Sequence, residues 1–138
     1  MIRPLFSLLV VASLAAGPPS RSQNPESVVL RQLEAYNAHD VEAFAVTYTE
    51  DVELYDFPAA LREPKGKAGL KIHYAQRFKE NPELHASAKD QILSGPYVIH
   101  REKVMGLAGQ KEALEVVVIY LVQDGLIRKV WFLKSEKR

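Results

Sequence analysis

From residue 84 onward, the chain consists of long apolar segments separated by turn signals. Asp124-Gly125 lies between the last two segments, and Asp-Gly between two apolar runs is a strong β-hairpin signal. Ser94-Gly95-Pro96 and the looser stretch 106–110 supply the other turns. This pattern predicts an antiparallel meander of four strands, near residues 84–94, 96–106, 112–123 and 126–134. Such a sheet needs a cover for its apolar face.

The segments that can provide this cover come earlier in the chain. Residues 26–38 place apolar side chains at helical spacing, and Asp40 is a plausible N-cap for a short second helix. A strand is predicted over 51–57. Gly66 then opens a third helix, which ends at Asn81-Pro82 because proline cannot continue the helical hydrogen bonding. The order predicts an α+β domain in which three N-terminal helices cover one face of a curved antiparallel sheet.

Residues 1–22 have the order of a secretory signal peptide. Arg3 gives a positive start, residues 5–16 form an apolar run, and small residues suited to cleavage follow. Cleavage is expected after Ala16 or nearer Ser22, which leaves residues 23–138 as one mature domain. The apolar run is too short to span a bilayer. We therefore expect a secreted or periplasmic protein with no membrane attachment after cleavage.

The charge and the absence of cysteine exclude several classes of function. The whole chain carries +1, of which Arg3 and Arg21 contribute +2, so the part after residue 22 carries −1. A near-neutral domain lacks the net positive charge that favours binding to nucleic acid or to an anionic membrane. There is no cysteine, the four histidines are scattered, and no glycine-rich phosphate loop is present. We therefore expect neither a metal nor a cofactor.

The segment 113–122 is apolar on both faces except for Glu115. A sheet with one solvated face alternates apolar and polar residues, so the second face of this strand is expected to be covered as well. The helices cover only one face, and the simplest second cover is the sheet of another copy, which predicts a homodimer. The alternative is a strand that tolerates several surface valines.

The strand before Pro58 carries the main candidate for chemistry. Alternation places Asp56 on the same face as Val52 and Leu54. A carboxylate beside apolar neighbours loses hydration, and its pKa rises towards that of a working base. The alternative is an edge residue that caps the turn before Pro58.

Three segments of this sequence resemble a known family. Residues 33–40 (LEAYNAHD), 49–58 (TEDVELYDFP) and 119–132 (IYLVQDGLIRKVWF) are similar to the nuclear-transport-factor-2-like superfamily, in particular to its SnoaL-like branch, which is related to ketosteroid isomerase. The resemblance covers nearly all of residues 26–134. It implies a cone-shaped α+β barrel with a pocket between the concave face of the sheet and the helices. The superfamily contains isomerases, cyclases, dehydratases, epoxide hydrolases and binding modules.

The resemblance also implies roles for individual residues. Asp56 falls on the general base of ketosteroid isomerase, whereas Gln32 and Ile119 fall on the positions of its two oxyanion donors. Neither of these is a strong acid, so an efficient steroid isomerase is not expected. Apart from the resemblance, Tyr36 lies on the inward stripe of the first helix and is a candidate to donate to a ligand carbonyl, or else a core residue with a polar tip. His100 is a second candidate, or else a partner of Glu102 on the same face. The residues expected to line the pocket are Val52, Leu54, Phe44, Tyr74, Ile119 and Trp131.

Three hypotheses for function follow from these residues. In the first, Asp56 removes a proton next to a carbonyl group of a small hydrophobic molecule, while Tyr36 or His100 polarises the oxygen. This would be an isomerase- or cyclase-type enzyme without a cofactor. In the second, the pocket binds an apolar small molecule without catalysis. In the third, the domain is a structural module that only associates.

Overall fold

The structure is a computed structural model that describes residues 24–134. The predicted signal peptide at 1–22 therefore lies outside the described residues. The order of elements is helices first and long strands last, as predicted. The elements are α1 (Pro25–Asn37), α2 (Val41–Ala45), β1 (Tyr48–Asp56), β2 (Ala60–Leu61), α3 (Gly66–Glu80), β3 (His85–Ser94), β4 (Tyr97–Met105), β5 (Leu114–Gln123) and β6 (Leu126–Lys134).

The strands form one six-stranded sheet in the order β2-β1-β6-β5-β4-β3. The meander from β3 to β6 is antiparallel throughout, as predicted. Asp124 and Gly125 both have positive φ, which is the conformation that a two-residue hairpin requires. The predicted α+β fold, with helices over a curved sheet, is confirmed, but the sheet is mixed and not antiparallel throughout, because β1 runs parallel to β6. Since most of the chain lies between β1 and β6, no hairpin sets their relative direction. The sheet is mixed and not closed.

The helix boundaries follow from local side-chain bonds. Asn24 caps α1 by accepting a hydrogen bond from the Ser27 amide at 2.8 Å. Asp40 caps α2 by accepting from the Ala43 amide at 3.0 Å, as predicted. The third helix begins at Gly66 and its last helical residue is Glu80, just before Asn81-Pro82. No helix in the described part of the chain is long and apolar enough to cross a membrane.

The helices pack on one face of the sheet, which we call the inner face. Its side chains alternate along each strand, and Val98, Val118 and Val130 on three neighbouring strands are fully buried there. Five aromatic side chains fill the space between the helices and β1, with neighbouring ring centroids 4.6–6.1 Å apart. They are Tyr36, Phe44, Tyr48, Tyr74 and Phe78.

The opposite, outer face carries an apolar row that crosses four strands. Ile99 pairs with Ile119, Ile119 pairs with Trp131, and Trp131 pairs with Tyr55. The rings of Tyr55 and Trp131 are stacked with centroids 5.9 Å apart. The prediction that β5 is apolar on both faces is confirmed, because Val118 lies on its inner face and Ile119 on its outer face.

The corner between α1 and α2 is tied to the start of β3. The Asn37 amide donates to the carbonyl of Ala86 at 2.9 Å and its oxygen accepts from the Ala86 amide at 2.8 Å. His39, which has a φ of 54°, donates from Nε2 to the carbonyl of Leu84 at 2.8 Å. These bonds hold α1 against the edge strand of the sheet, next to the cavity described below.

Candidate functional site

A cavity of about 540 Å³ lies between the inner face of the sheet and the helices. This volume is within the usual range for pockets that bind small molecules. Much of its wall is apolar and comes from helix, strand and loop residues alike. The apolar lining includes Leu33, Val52, Leu54, Leu61, Ala86, Val104, Leu107, Leu114, Val116 and Phe132.

Asp56 lies on this cavity in a partly exposed ion pair. Its Oδ1 accepts from Nη2 of Arg62 at 2.6 Å, and Nζ of Lys134 is 3.9 Å away. The Arg62 guanidinium also lies over the ring of Phe132, 4.0 Å from the centroid. The hydrogen bond from Arg62 lowers the pKa of Asp56 below its usual value, although some burial opposes this. The expectation of a raised pKa is therefore wrong, because 45% of the Asp56 side chain is exposed and a cation contacts it.

Glu102 provides a second carboxyl group, on the buried side of the cavity. Its side chain is only 8% exposed, yet it lines the cavity. Tyr120 donates its hydroxyl to Oε1 at 2.8 Å, and Nδ1 of His100 lies 3.4 Å from the same oxygen. Among the described residues, Oε2 has no hydrogen-bond partner and is not fully enclosed. This oxygen is therefore free to contact a ligand.

Four tyrosine hydroxyls surround this part of the cavity, and burial raises the pKa of each of them. Glu102 lines the same cavity as all four tyrosines, and its negative charge raises their pKa values further. The pKa of Tyr74 rises to about 12, that of Tyr36 is raised, and those of Tyr48 and Tyr120 are well above 10.0. All four therefore stay neutral and can act as hydrogen-bond donors at neutral pH.

Tyr36 and Gln32, both on α1, add a donor and an acceptor to the wall. Nε of Arg77 donates to the hydroxyl oxygen of Tyr36 at 3.4 Å, so the hydroxyl hydrogen of Tyr36 stays available. The carbonyl oxygen of Gln32 is buried and has no hydrogen-bond partner among the described residues. A buried carbonyl without a partner costs about 1–3 kcal/mol.

The structure brings several of the predicted site residues together. Asp56, Tyr36, Val52, Leu54 and Tyr74 all line the cavity. These positions follow from the alternation of β1 and from the apolar stripes of α1 and α3, which could be seen in the sequence.

Four other predicted site residues lie elsewhere. Phe44 is fully buried in the aromatic cluster and does not reach the cavity wall. Ile119 and Trp131 lie on the outer face, because they alternate with the inward residues Tyr120 and Val130. Their prediction as pocket-lining residues is corrected by this register. His100 is buried behind Glu102 and contacts the cavity only through it.

Sequence reasoning missed Glu102, Arg62 and Arg77 as components of the site. Glu102 was considered only as a partner of His100. The available signal was the alternation of β4, since Val98, His100, Glu102 and Val104 share one face. Alternation alone did not show whether that face points to the helices. Within residues 24–134, no group of three or more His, Asp or Glu side chains is arranged to hold a metal ion.

Comparison with known proteins gives a family and a fold. Residues 29–130 match the family model described as the SnoaL-like domain. No curated protein sequence matches the chain.

Solved structures with the same fold come from several bacteria. An uncharacterised cystatin-fold protein from Novosphingobium aromaticivorans is 27% identical, with a TM-score of 0.74 over 80% of this chain and 98% of that one. A protein from Kribbella flavida named as a candidate ketosteroid isomerase is 21% identical, with a TM-score of 0.68, 83% of this chain covered and 79% of that one. A protein from Bacillus cereus named as a candidate polyketide cyclase is 24% identical, with a TM-score of 0.67 over 80% of this chain and 74% of that one.

Proposed function

This chain belongs to the SnoaL-like family, and we propose that it binds a small hydrophobic carbonyl compound and transfers a proton on it without a cofactor. The observation that carries the proposal is the cavity itself. It combines apolar walls with a buried carboxyl group that has one free oxygen, at Glu102, and a neutral hydroxyl donor, at Tyr36. The names of two structural relatives, a candidate ketosteroid isomerase and a candidate polyketide cyclase, support this class of reaction.

The proposed step is a proton abstraction next to the carbonyl group. Oε2 of Glu102 takes the proton from the carbon atom, and the electron pair of the broken C–H bond forms the enolate. Tyr36 donates its hydroxyl hydrogen to the enolate oxygen, which gains charge in the transition state. Glu102 then returns a proton to carbon, either at the same atom or at a conjugated one; in D₂O the proton on Oε2 exchanges with solvent before this return, so the carbon gains deuterium. General acid–base catalysis of this kind contributes about 10²–10⁴-fold.

Asp56 is the alternative base, and it takes the position that the family resemblance assigns to that role. The Asp56 side chain is 45% exposed and its Oδ1 is bonded to Arg62, so water and a guanidinium compete with a substrate for this carboxylate, whereas Glu102 is buried and keeps Oε2 unbonded. The contact with Arg62 instead suits Asp56 to holding that guanidinium over Phe132 at the cavity. We therefore place the proton transfer on Glu102 and a positioning role on Asp56.

Exchange of substrate hydrogen for deuterium tests the proposal directly. The protein is incubated with 2-tetralone or acetophenone in D₂O, and loss of the signal of the hydrogens next to the carbonyl is followed by proton NMR. We expect catalysed exchange with the wild-type chain, a loss of about a hundredfold or more in Glu102→Gln, and a change of only a few-fold in Asp56→Asn. Glu50→Gln, the same chemical change at an exposed carboxylate, serves as the control.

Two results would assign the chemistry differently. Loss of exchange in Asp56→Asn but not in Glu102→Gln would make Asp56 the base. A rise in melting temperature with these ketones but no exchange above buffer would support the second candidate function, non-catalytic binding. That candidate is favoured by one observation, the ion pair that engages Asp56.

A homodimer through the outer face is part of the proposal. The row formed by Ile99, Ile119, Trp131 and Tyr55 is apolar, and Ile92 beside it is 61% exposed. A second copy would cover this surface. Light scattering after gel filtration should give twice the chain mass, and Ile119→Lys should give a monomer. Val46→Lys, on an exposed apolar residue outside this sheet, is the control; a wild-type monomer would contradict the proposal.

Export is proposed from the sequence of residues 1–22 alone. N-terminal sequencing of protein recovered from the periplasm or medium should begin between Gly17 and Gln23. Protein that stays in the cytoplasm and begins at Met1 or Ile2 would contradict the proposal.

A further inference from the structure

A line of hydrogen bonds runs from the protein surface to the cavity wall. It begins at the Glu26 carboxylate, which accepts from Nε2 of Gln91 at 2.8 Å. Oε1 of Gln91 lies 2.8 Å from Nε2 of His100. Nδ1 of His100 lies 3.4 Å from Oε1 of Glu102, which also accepts from Tyr120. Three of these residues come from α1, β3 and β5, and the other two are neighbours on one face of β4.

The chemistry of these groups fixes the direction of each bond. An ionised carboxylate only accepts, so Glu26 holds the amide nitrogen of Gln91 towards itself and turns the amide oxygen towards His100. An amide oxygen also only accepts, so Nε2 of His100 must carry a hydrogen. In a neutral ring Nδ1 would then be a bare lone pair that faces a carboxylate oxygen. The contact between His100 and Glu102 is therefore favourable only when a proton lies between them.

We propose that His100 is the positioning residue of the cavity-wall base: it holds this proton on Nδ1 as an imidazolium and so keeps Glu102 ionised. A lone carboxylate with 8% exposure would be strongly disfavoured, whereas an imidazolium beside it makes the pair neutral. Tyr120 donates to the same oxygen and favours the ionised form of the carboxyl group. The catalytic part of this inference rests on the proposed function, but the ion pair itself does not.

The pair accounts for how a buried carboxylate can accept a proton from carbon. His100 and Tyr120 both occupy Oε1, so the incoming proton goes to Oε2 and leaves again from Oε2. The imidazolium keeps its own proton throughout, because Gln91 holds Nε2 and Glu102 holds Nδ1. Within the described part of the chain, the other titratable groups that interact with Glu102 are Tyr36 from α1, Tyr48 from β1 and Tyr74 from α3, and Arg77 of α3 bonds Tyr36.

Nitrogen NMR of the full chain labelled with ¹⁵N-histidine tests the ion pair without any ligand. The signals of His100 are identified by their absence in His100→Gln. At neutral pH we expect both ring nitrogens of His100 to show shifts of protonated nitrogen. In Glu102→Gln we expect the ring to become neutral, with the hydrogen kept on Nε2 and Nδ1 accepting from the new amide. A bare nitrogen in the wild-type ring, or a ring unchanged by Glu102→Gln, would overturn the proposal.

The pH profile of deuterium exchange tests the positioning role. In His100→Gln the neutral amide no longer favours the carboxylate, so exchange should fall at neutral pH and recover as the pH is raised. A purely structural role would lower exchange at all pH values alike, and that result would overturn the positioning role. If exchange is absent even in the wild-type chain while the NMR signature of the ion pair is present, the proposed function fails and the ion pair stands.

Discussion

Replacement of Asn37 by alanine should remove the bond that joins the helical cover to the edge of the sheet. The Asn37 side chain makes two hydrogen bonds to the backbone of Ala86, at 2.8 and 2.9 Å, and it thereby takes the place of a neighbouring strand. Ala86 is buried and lines the cavity. Alanine at position 37 would leave both the N–H and the C=O group of Ala86 without these partners.

The expected loss follows from those two bonds. Each contributes about 0.5–1.5 kcal/mol net, and a partner left unsatisfied in a buried place costs about 1–3 kcal/mol. Some water can reach the edge of β3, so we expect a total loss of about 2–4 kcal/mol in the free energy of unfolding. At roughly 4 °C per kcal/mol for a domain of this size, the melting temperature should fall by about 8–16 °C.

Urea denaturation followed by circular dichroism measures this loss, with Asn24→Ala as the matched control. Asn24 has the same side chain, but its oxygen accepts only one exposed bond, from the Ser27 amide. Its removal should cost about 1 kcal/mol. If Asn37→Ala were no more destabilising than Asn24→Ala, the bonds to Ala86 would not hold the corner, and the reasoning would be refuted.

Three further predictions concern single groups. Tyr120→Phe removes the hydroxyl that donates to buried Glu102 and should cost about 1–3 kcal/mol in urea denaturation; a neutral effect would contradict this. The lowered pKa of Asp56 means that its ion pair stabilises the fold above pH ~4 and is lost as pH falls through the folded pKa. Because the pair is partly exposed, Asp56→Asn should change stability at pH 7 by less than about 1 kcal/mol, and the difference should vanish in acid. Gly106→Ala should destabilise strongly in thermal melts, since φ is +79° and its Cβ would lie 1.9 Å from the carbonyl oxygen of Glu83; a melt equal to wild type would contradict this.

The sequence predicted the elements well because the signals that set them are local. The Asp40 cap, the Asp124-Gly125 turn and the proline after Asn81 each act within a few residues, and the structure has the expected boundary at each. The family-like segment Asn37–Asp40 is informative for the same reason. The Asn37 side chain bonds the backbone of β3, His39 bonds the carbonyl of Leu84 just before β3, and Asp40 caps α2.

The site was harder to predict because it depends on non-local pairing. Asp56 was placed beside apolar residues correctly, but its pKa is set by Arg62, whose side chain meets it across the β1–β2 hairpin. Alternation shows which residues of a strand share a face, but only the pairing with neighbouring strands shows which face meets the helices. Without the pairing, Ile119 and Trp131 could be placed on the wrong side.

Because alternation does not show which face of β4 meets the helices, Glu102 could not be predicted as a cavity residue from its position in the middle of the strand. The ionisable side chains of His100 and Glu102 point inward, at positions where two apolar side chains would pack without needing hydrogen-bond partners. Burial of such groups is costly unless each has a partner, and here Gln91, Tyr120 and the pair itself supply the partners. A strand that needs residues from two other strands to satisfy its inward polar groups is poorly suited to packing alone. It is well suited to presenting one unbonded carboxyl oxygen to a cavity, which is the feature that the proposed chemistry requires.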